Sequence, residues 1–320
     1  MSTTRVGAVD CGTNSIRLLV ADIDGSGSLT DVVRTTEVVR LGYGVDRTGS
    51  IDPVAMERTL RQTSAYAVQC REHDVSRVRF VATSASRDAR NASEFVRGVE
   101  QAFAAAGFDV SPEVVSGDEE ANLSFTGSTG DLRAAGIEGP YLVVDLGGGS
   151  TELVRGTDTV ESARSVDVGS VRIHERHLHG DPPTAAEVTA ATADVGVALD
   201  AAEEVVDLEG VATVVGLAGS ITTVTAHVLG LAAYEPSRIH LARHFPQQQR
   251  EAAQALLHMT RDGRAALGFM HPGRVDVIGA GALVWHEVLG RVLQRSPDAQ
   301  VVTSEHDILD GIALSCVRRP

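Results

Sequence analysis

The 320-residue sequence contains no lysine; all 28 of its basic residues are arginine. Chemistry that needs a primary amine is thereby excluded: a P-loop lysine on phosphate, a Schiff base, a pyridoxal phosphate anchor or a lysine general base. Cysteine is scarce too. Cys11, Cys70 and Cys316 are scattered, odd in number and without metal-ligand spacing, so they read as small buried apolar residues rather than a disulfide framework or a zinc centre. No run approaches the roughly 20 apolar residues of a membrane span, and no apolar signal core precedes the first strand pattern. The expectation is a soluble cytoplasmic protein without a membrane partner. Positive charge is also in deficit. The 43 acidic residues leave a formal charge of -15, a field that opposes general binding of nucleic acid and anionic lipid except where arginines gather.

What is present is ordinary globular material, 43% hydrophobic and 22% charged, with length for about two domains at roughly 150 residues each. Val6 to Asp10, Ser15 to Asp22 and Leu29 to Val39 read as three antiparallel strands broken by Gly12-Thr13-Asn14 and Asp24-Gly25-Ser26-Gly27. A helix from the Asp52 cap to His73 follows, then a buried strand Val78 to Ala82, a helix Asn91 to Ala106 and a strand Val110 to Val115. A second strand-rich block opens with Tyr141 to Asp145, Thr151 to Arg155 and Val160 to Val168. Beyond it the pattern predicts helices Thr184 to Val206, Ile221 to Leu229, Gln247 to Thr260 and Arg274 to Val292, a buried strand Val211 to Leu217, strand Gln300 to Val302 and helix Asp307 to Val317. The turn-rich stretch Gly127 to Pro140 is the best boundary, giving domains 1–127 and 128–303, with 304–320 expected to pack back on the first.

An internal repeat organises these elements. Val9-Asp10-Cys11-Gly12-Thr13-Asn14-Ser15-Ile16-Arg17-Leu18 aligns without gaps on Val144-Asp145-Leu146-Gly147-Gly148-Gly149-Ser150-Thr151-Glu152-Leu153, with Asp, Gly and Ser at the same offsets. Each copy forms the tip of the first hairpin in a three-strand block followed by helices, the pattern of a duplicated fold. A glycine-rich tip lets successive backbone amides converge, with a hydroxyl added, and so cradles phosphate without lysine. One such loop alone is equally an ordinary tight turn; two in matching contexts favour phosphate. Asp10 and Asp145, just before the tips, repel phosphate unless a cation lies between, which implies a divalent metal, Mg2+ or Mn2+.

Three further segments carry candidate chemistry. Ser116-Gly117-Asp118-Glu119-Glu120-Ala121 opens a helix after a strand; its acids complement the helix dipole, or one of them is a base that deprotonates water beside bound phosphate. The residues alone do not choose between Glu119 and Glu120. Ala82 to Asn91 sits at the C-terminal end of a buried strand, where α/β sheets bind ligands, and offers Arg87 for bidentate phosphate contact or for a surface ion pair. Gly216-Leu217-Ala218-Gly219-Ser220 joins strand to helix and repeats the anion-cradle logic at Gly219. His174, His177 and His179 match no zinc signature and suit a solvated helix end. His240 and His244 fall in an apparent loop before Pro246; neither receives a role.

Taken together these strings resemble the exopolyphosphatase and guanosine pentaphosphate phosphohydrolase (Ppx/GppA) family. The resemblance covers essentially the whole chain, from Asp10 to Arg17 through Ala82 to Asn91, Ser116 to Ala121, Asp145 to Leu153 and Gly216 to Ser220 to Pro272-Gly273-Arg274-Val275-Asp276-Val277-Ile278. It implies an α/β protein with duplicated actin-like, ribonuclease H-like domains and a cleft between them. It also implies Glu120 as the catalytic base, Asp145 and Glu152 as the acids associated with the divalent metal, and Arg87 near the phosphate chain. Asn14, Ser15 and Arg17 match the first phosphate loop, and Gly147, Gly148, Gly149, Ser150 and Thr151 the second. The implied reaction is hydrolysis of the terminal phosphoanhydride of inorganic polyphosphate. Longer relatives carry extra C-terminal helical domains, so short chains are the expected substrate. A homodimer follows from the resemblance alone. The rival expectations are hydrolysis of guanosine pentaphosphate or a related (p)ppGpp-type substrate, an actin-like ATPase or sugar kinase, and a catalytically silent nucleotide-sensing protein.

Overall fold

A computed structural model describes residues 3–318 of the chain. The elements run β1 (Thr4–Cys11), β2 (Ser15–Ile23), β3 (Leu29–Val38), α1 (Val45–Thr48), α2 (Pro53–Glu72), β4 (Arg77–Ala82), α3 (Ser84–Asp88), α4 (Ala92–Ala105), β5 (Glu113–Val114) and α5 (Gly117–Ala134). They continue with β6 (Tyr141–Leu146), β7 (Thr151–Gly156), β8 (Val160–Val166), α6 (Ser170–His177), α7 (Ala185–Glu203), β9 (Thr213–Leu217), α8 (Ala218–Val228), α9 (Pro236–Ile239), β10 (Ala242–His244) and α10 (Pro246–His258). The last are α11 (Arg261–Ala265), a 3-10 turn Pro272–Arg274, α12 (Ile278–Arg295), β11 (Gln300–Thr303) and α13 (Ile308–Arg318). No described helix is long and apolar enough to cross a membrane.

Two compact units result, one reaching Gly127 and including the segment from Ile308, the other Ser128–Asp307. The first holds a sheet in the order β3-β2-β1-β4-β5, the second a sheet in the order β10-β11-β9-β6-β7-β8. Read from the opposite edge, the second sheet repeats the first, an antiparallel triplet followed by two strands parallel to its innermost member, and adds β10 as an antiparallel edge. The innermost strands are buried on both faces and carry unbroken apolar runs such as Val143-Val144, as parallel neighbours require.

Each unit has its own core. In the first, Phe80 of β4 meets Phe95 and Phe103 of α4 with ring centroids 6.2 and 6.1 Å apart, and α2 starts where the Asp52 carboxylate accepts the Val54 and Ala55 amides. In the second, wholly buried Trp285 donates its indole N–H to Gln249 at 3.2 Å, and Gln249 donates in turn to Thr225. Buried Arg264 gives its guanidinium to the carbonyls of Leu256, Leu257 and Val275 at 3.0, 3.2 and 3.3 Å, closing the C-terminal end of α10.

Three local expectations need correction, and one short helix carries no sequence signal. The strand read over Val110 to Val115 shrinks to two residues, because only Glu113 and Val114 have ladder partners on β4, with Val115 adding a single N–H to Ala82 O at 3.1 Å. A helix does not begin at Arg274: Pro272 and Gly273 favour a 3-10 turn, and α12 starts at Ile278. The segment from His240 to His244 is not all loop, since Ala242–His244 pairs with the remote strand β11. The stretch after Ala82 contains the five-residue helix α3, too short to leave a periodic signal.

Candidate active site

Both repeat loops are tips of tight hairpins, closed by Gly12 N–H to Ser15 O at 2.9 Å and Gly147 N–H to Ser150 O at 3.0 Å. Behind the second tip the N-terminus of α6 takes the loop carbonyls. Ser170 N–H donates to Gly147 O, Val171 and Arg172 N–H to Gly148 O, and Arg172 Nε to Gly149 O at 2.7 Å. In a planar trans peptide the following N–H points the opposite way, so the amides of Gly148, Gly149 and Ser150 are turned away from α6. They form a ready anion cradle. The first tip is backed in the same manner. Val39 and Arg40 N–H donate to Asn14 O and Gly42 N–H to Thr13 O, which turns the Asn14 and Ser15 amides outward.

Close backing demands glycine behind both tips. A Cβ on Gly169 would stand 2.5 Å from Gly148 O, and one on Gly42 would overlap the methyl of Thr13. Thr13 is anchored further by a 2.9 Å hydroxyl contact with Ser84 at the start of α3. Asn14 Oδ1 and Ser86 Oγ are buried without a hydrogen-bond partner among the described residues. Groups left so cost about 1–3 kcal/mol each unless a water or a ligand supplies the partner, and for the Asn14 oxygen that partner must be a donor.

Several predicted residues meet as pairs. Arg87, the fourth residue of α3, donates through Nη1 to Val115 O at 2.9 Å and to Glu120 Oε2 at 3.3 Å. Glu120, in the first turn of α5, is 7% exposed, whereas the Glu119 side chain is 43% exposed and accepts from Arg79 at 2.8 Å. The two glutamates that the residues alone left equal thus have different surroundings. Glu120 is the one held in a sheltered position beside a cation.

Asp10 and Arg17 sit opposite each other across β1 and β2, with Arg17 Nη2 2.6 Å from Asp10 Oδ2. Arg17 therefore neutralises Asp10, so Asp10 is not a bare carboxylate awaiting a cation. Asp145 and Glu152 are also cross-strand partners, on β6 and β7, and both are buried, at 7% and 1% exposure. Cross-strand partners share a face with Cβ atoms about 4.5–5.5 Å apart. Glu152 accepts from Ser165 Oγ at 2.7 Å. Two hard-oxygen carboxylates side by side in a dry setting suit a divalent cation. Thr151, beside them, gives its hydroxyl to Val168 O at 2.5 Å and so fixes the hairpin rather than pointing at a ligand.

Gly219 is the second residue of α8, and a Cβ there would overlap the guanidinium of Arg274. Arg274 also reaches Thr223 Oγ1 at 3.4 Å. A cation over a helix N-terminus opposes the helix dipole, so the pair is arranged for an anion to join. Arg274 was visible in the sequence only as part of a string; its place above Gly219 comes from long-range folding. Thiolate formation is disfavoured at two of the three cysteines. Burial, aided by the charge of Asp10, pushes the Cys11 thiol up, and burial pushes Cys70 up to about 12.

The profile of the Ppx/GppA phosphatase family matches residues 19–316. Exopolyphosphatase 2 of Mycobacterium tuberculosis is 49% identical over 318 residues, covering 98% of this chain and 99% of that protein. A crystal structure of an exopolyphosphatase-like protein superposes with a TM-score of 0.93 at 41% identity, covering 98% of both chains. The PPX-GPPA enzyme of Aquifex aeolicus gives a TM-score of 0.78 at 28% identity, covering 98% of this chain and 100% of that one. The duplicated halves are those of the actin-like ATPase fold. From its whole length and its two repeated loops alike, the chain belongs to the Ppx/GppA phosphatase family.

Proposed function

We propose that the protein is an exopolyphosphatase that removes the terminal phosphate of short inorganic polyphosphate as orthophosphate, acting in the cytoplasm with Mg2+, or Mn2+ in its place. The observation that carries the reading is the sheltered Glu120 carboxylate 3.3 Å from Arg87 Nη1. A carboxylate so held accepts a proton from water that attacks the terminal phosphorus, while the leaving chain keeps the bridging oxygen. Arg87 orients Glu120 and adds positive charge where the phosphate charge gathers. In the second unit the Gly148, Gly149 and Ser150 amides bind phosphate oxygens, and Gly219 with Arg274 offers a further anion contact; in the first unit the Asn14 and Ser15 amides are suited to the same role. Asp145 and Glu152 would hold the divalent cation, which when bound offsets charge on the phosphate chain. The likeness to Exopolyphosphatase 2 supports this substrate class.

The net charge of -15 opposes approach of a polyanion, so productive binding depends on these local donors and weakens as salt screens them. The test is orthophosphate release from short and long polyphosphate and from guanosine pentaphosphate, with Mg2+ or chelator, for wild type and Glu120→Gln. Mg2+-dependent release from polyphosphate, lowered about 100-fold or more in the variant, is the expected result. Faster release from guanosine pentaphosphate would move the assignment to that substrate, and release from neither would end the hydrolase reading.

A further inference from the structure

The second unit gathers three residues remote in sequence. Asp131 lies near the end of α5, His240 directly after α9, and His306 in the turn that follows β11. Asp131 Oδ2 stands 2.6 Å from His306 Nδ1 and 3.3 Å from His240 Nε2. One donor atom from each residue lies within 4.8 Å of the other two, and the imidazole centroids are 4.7 Å apart. We propose that Asp131, His240 and His306 form a metal site for a divalent transition ion of the zinc class, distinct from the carboxylate pair Asp145 and Glu152.

The donor types select the ion. Two imidazoles and one carboxylate favour Zn2+, Co2+ or Ni2+ over Mg2+, which prefers oxygen throughout. Around Zn2+, with ligands at about 2.0–2.1 Å, tetrahedral donors lie about 3.4 Å from one another. The two carboxylate–imidazole separations are 2.6 and 3.3 Å and the remaining one is within 4.8 Å, so loading needs side-chain movements of about 1 Å. All three side chains are partly exposed, at 44%, 22% and 34% for Asp131, His240 and His306, which leaves a path for the ion and room for water to complete its coordination.

The turn bearing His306 is held on both sides. Ser304 Oγ accepts the His306 amide and donates to the His306 carbonyl, while Tyr234 donates to Glu305 at 2.7 Å. One bond must be given up. The Glu305 N–H donates to His240 Nδ1 at 3.2 Å, which keeps the proton of the neutral ring on Nε2, facing Asp131. A His240 bound through Nε2 carries its proton on Nδ1 instead, so the Glu305 amide loses its acceptor. Metal loading is therefore coupled to the turn at 304–306.

The test uses untagged full-length protein stripped with chelator and titrated with Co2+ in excess Mg2+, followed by competition with Zn2+. One equivalent of Co2+ with imidazole-type visible absorption, displaced by Zn2+, is expected. Asp131→Asn, His240→Asn and His306→Gln should each weaken uptake about 100-fold or more, because even supporting residues of metal sites are worth 10–100-fold; Asp145→Asn should leave it intact. Hydrogen exchange on the wild type supplies a readout that needs no variant: the Glu305 amide should exchange faster once Zn2+ is bound. Absence of stoichiometric uptake, or uptake indifferent to all three substitutions, would overturn the site. An unchanged Glu305 amide would overturn the coupling.

Discussion

Replacing Gly169 by alanine tests whether the second loop acts through the position of its backbone. Gly169 is extended, at φ -151° and ψ 170°, a conformation open to any residue, so the substitution carries no dihedral penalty. Its cost is contact. The new Cβ would stand 2.5 Å from Gly148 O, 2.6 Å from Gly148 C and 2.7 Å from Gly149 N, whereas ordinary contact begins at 3.4 Å. The tip must therefore retreat by about 0.9 Å, carrying the Gly148 and Gly149 amides with it. A displacement near 1 Å at a reacting centre costs about 100-fold in rate, and overpacking of this kind costs about 1–3 kcal/mol in stability. Initial rates of orthophosphate release across a range of polyphosphate concentrations, with thermal melts alongside, separate the two effects. Gly130→Ala is the control. It is an exposed position of α5 with nothing within 4 Å of its added methyl, and should raise stability by about 0.5–1 kcal/mol without changing the rate. A Gly169→Ala protein with kcat/KM within twofold of wild type and a lowered Tm would refute the cradle, since the loop would have moved without consequence for phosphate.

Other expectations follow from single contacts. Glu119→Gln should change the hydrolysis rate by less than about threefold and stability by less than about 1 kcal/mol, because its half-exposed carboxylate shares Arg79 with Glu113; steady-state rates and urea unfolding check both. Arg264→Leu should cost roughly 3 kcal/mol by urea unfolding, since three carbonyls lose a buried charged donor. Burial holds the imidazoles of His227 and His244 below their ordinary 6.5. The unfolded chain then binds more protons in that range, so the stability they contribute is present above pH 6.5 and is lost as pH falls through their folded values. Tm should drop between pH 7 and pH 5, and His244→Gln should flatten part of that slope; an unchanged slope would discard His244 as a source.

The repeat loops were legible because hairpin geometry is local: Gly12 to Ser15 and Gly147 to Ser150 set their own turns. The doubled sheet was legible for the same reason, since each unit opens with three consecutive strands. Local pattern could not supply partners from far along the chain. β10 exists through its pairing with β11, and Ala242 to His244 carry no strand signature of their own. In the sequence His240 stands four residues from His244, while its neighbours in space are Asp131 and His306. The ion pair between Asp10 and Arg17 needed only strand register, which a hairpin reading supplies in principle. The shelter of Glu120 beside Arg87 needed the meeting of α3 with α5, which no window of sequence contains.

The backing of the two tips has a consequence for how this protein can change. Gly42 and Gly169 each follow the third strand of their unit and each presses a loop from behind, so the two halves place the same residue at the same architectural post. The proposed cradle is made of peptide groups, which substitution does not remove. Variation within Gly147 to Ser150 is thus buffered, whereas variation at the posts moves the whole tip. A library built to retune substrate affinity would find its range behind the tips rather than in them, at Gly42, Gly169, and Arg172, whose guanidinium sets how far the Gly149 carbonyl is drawn back.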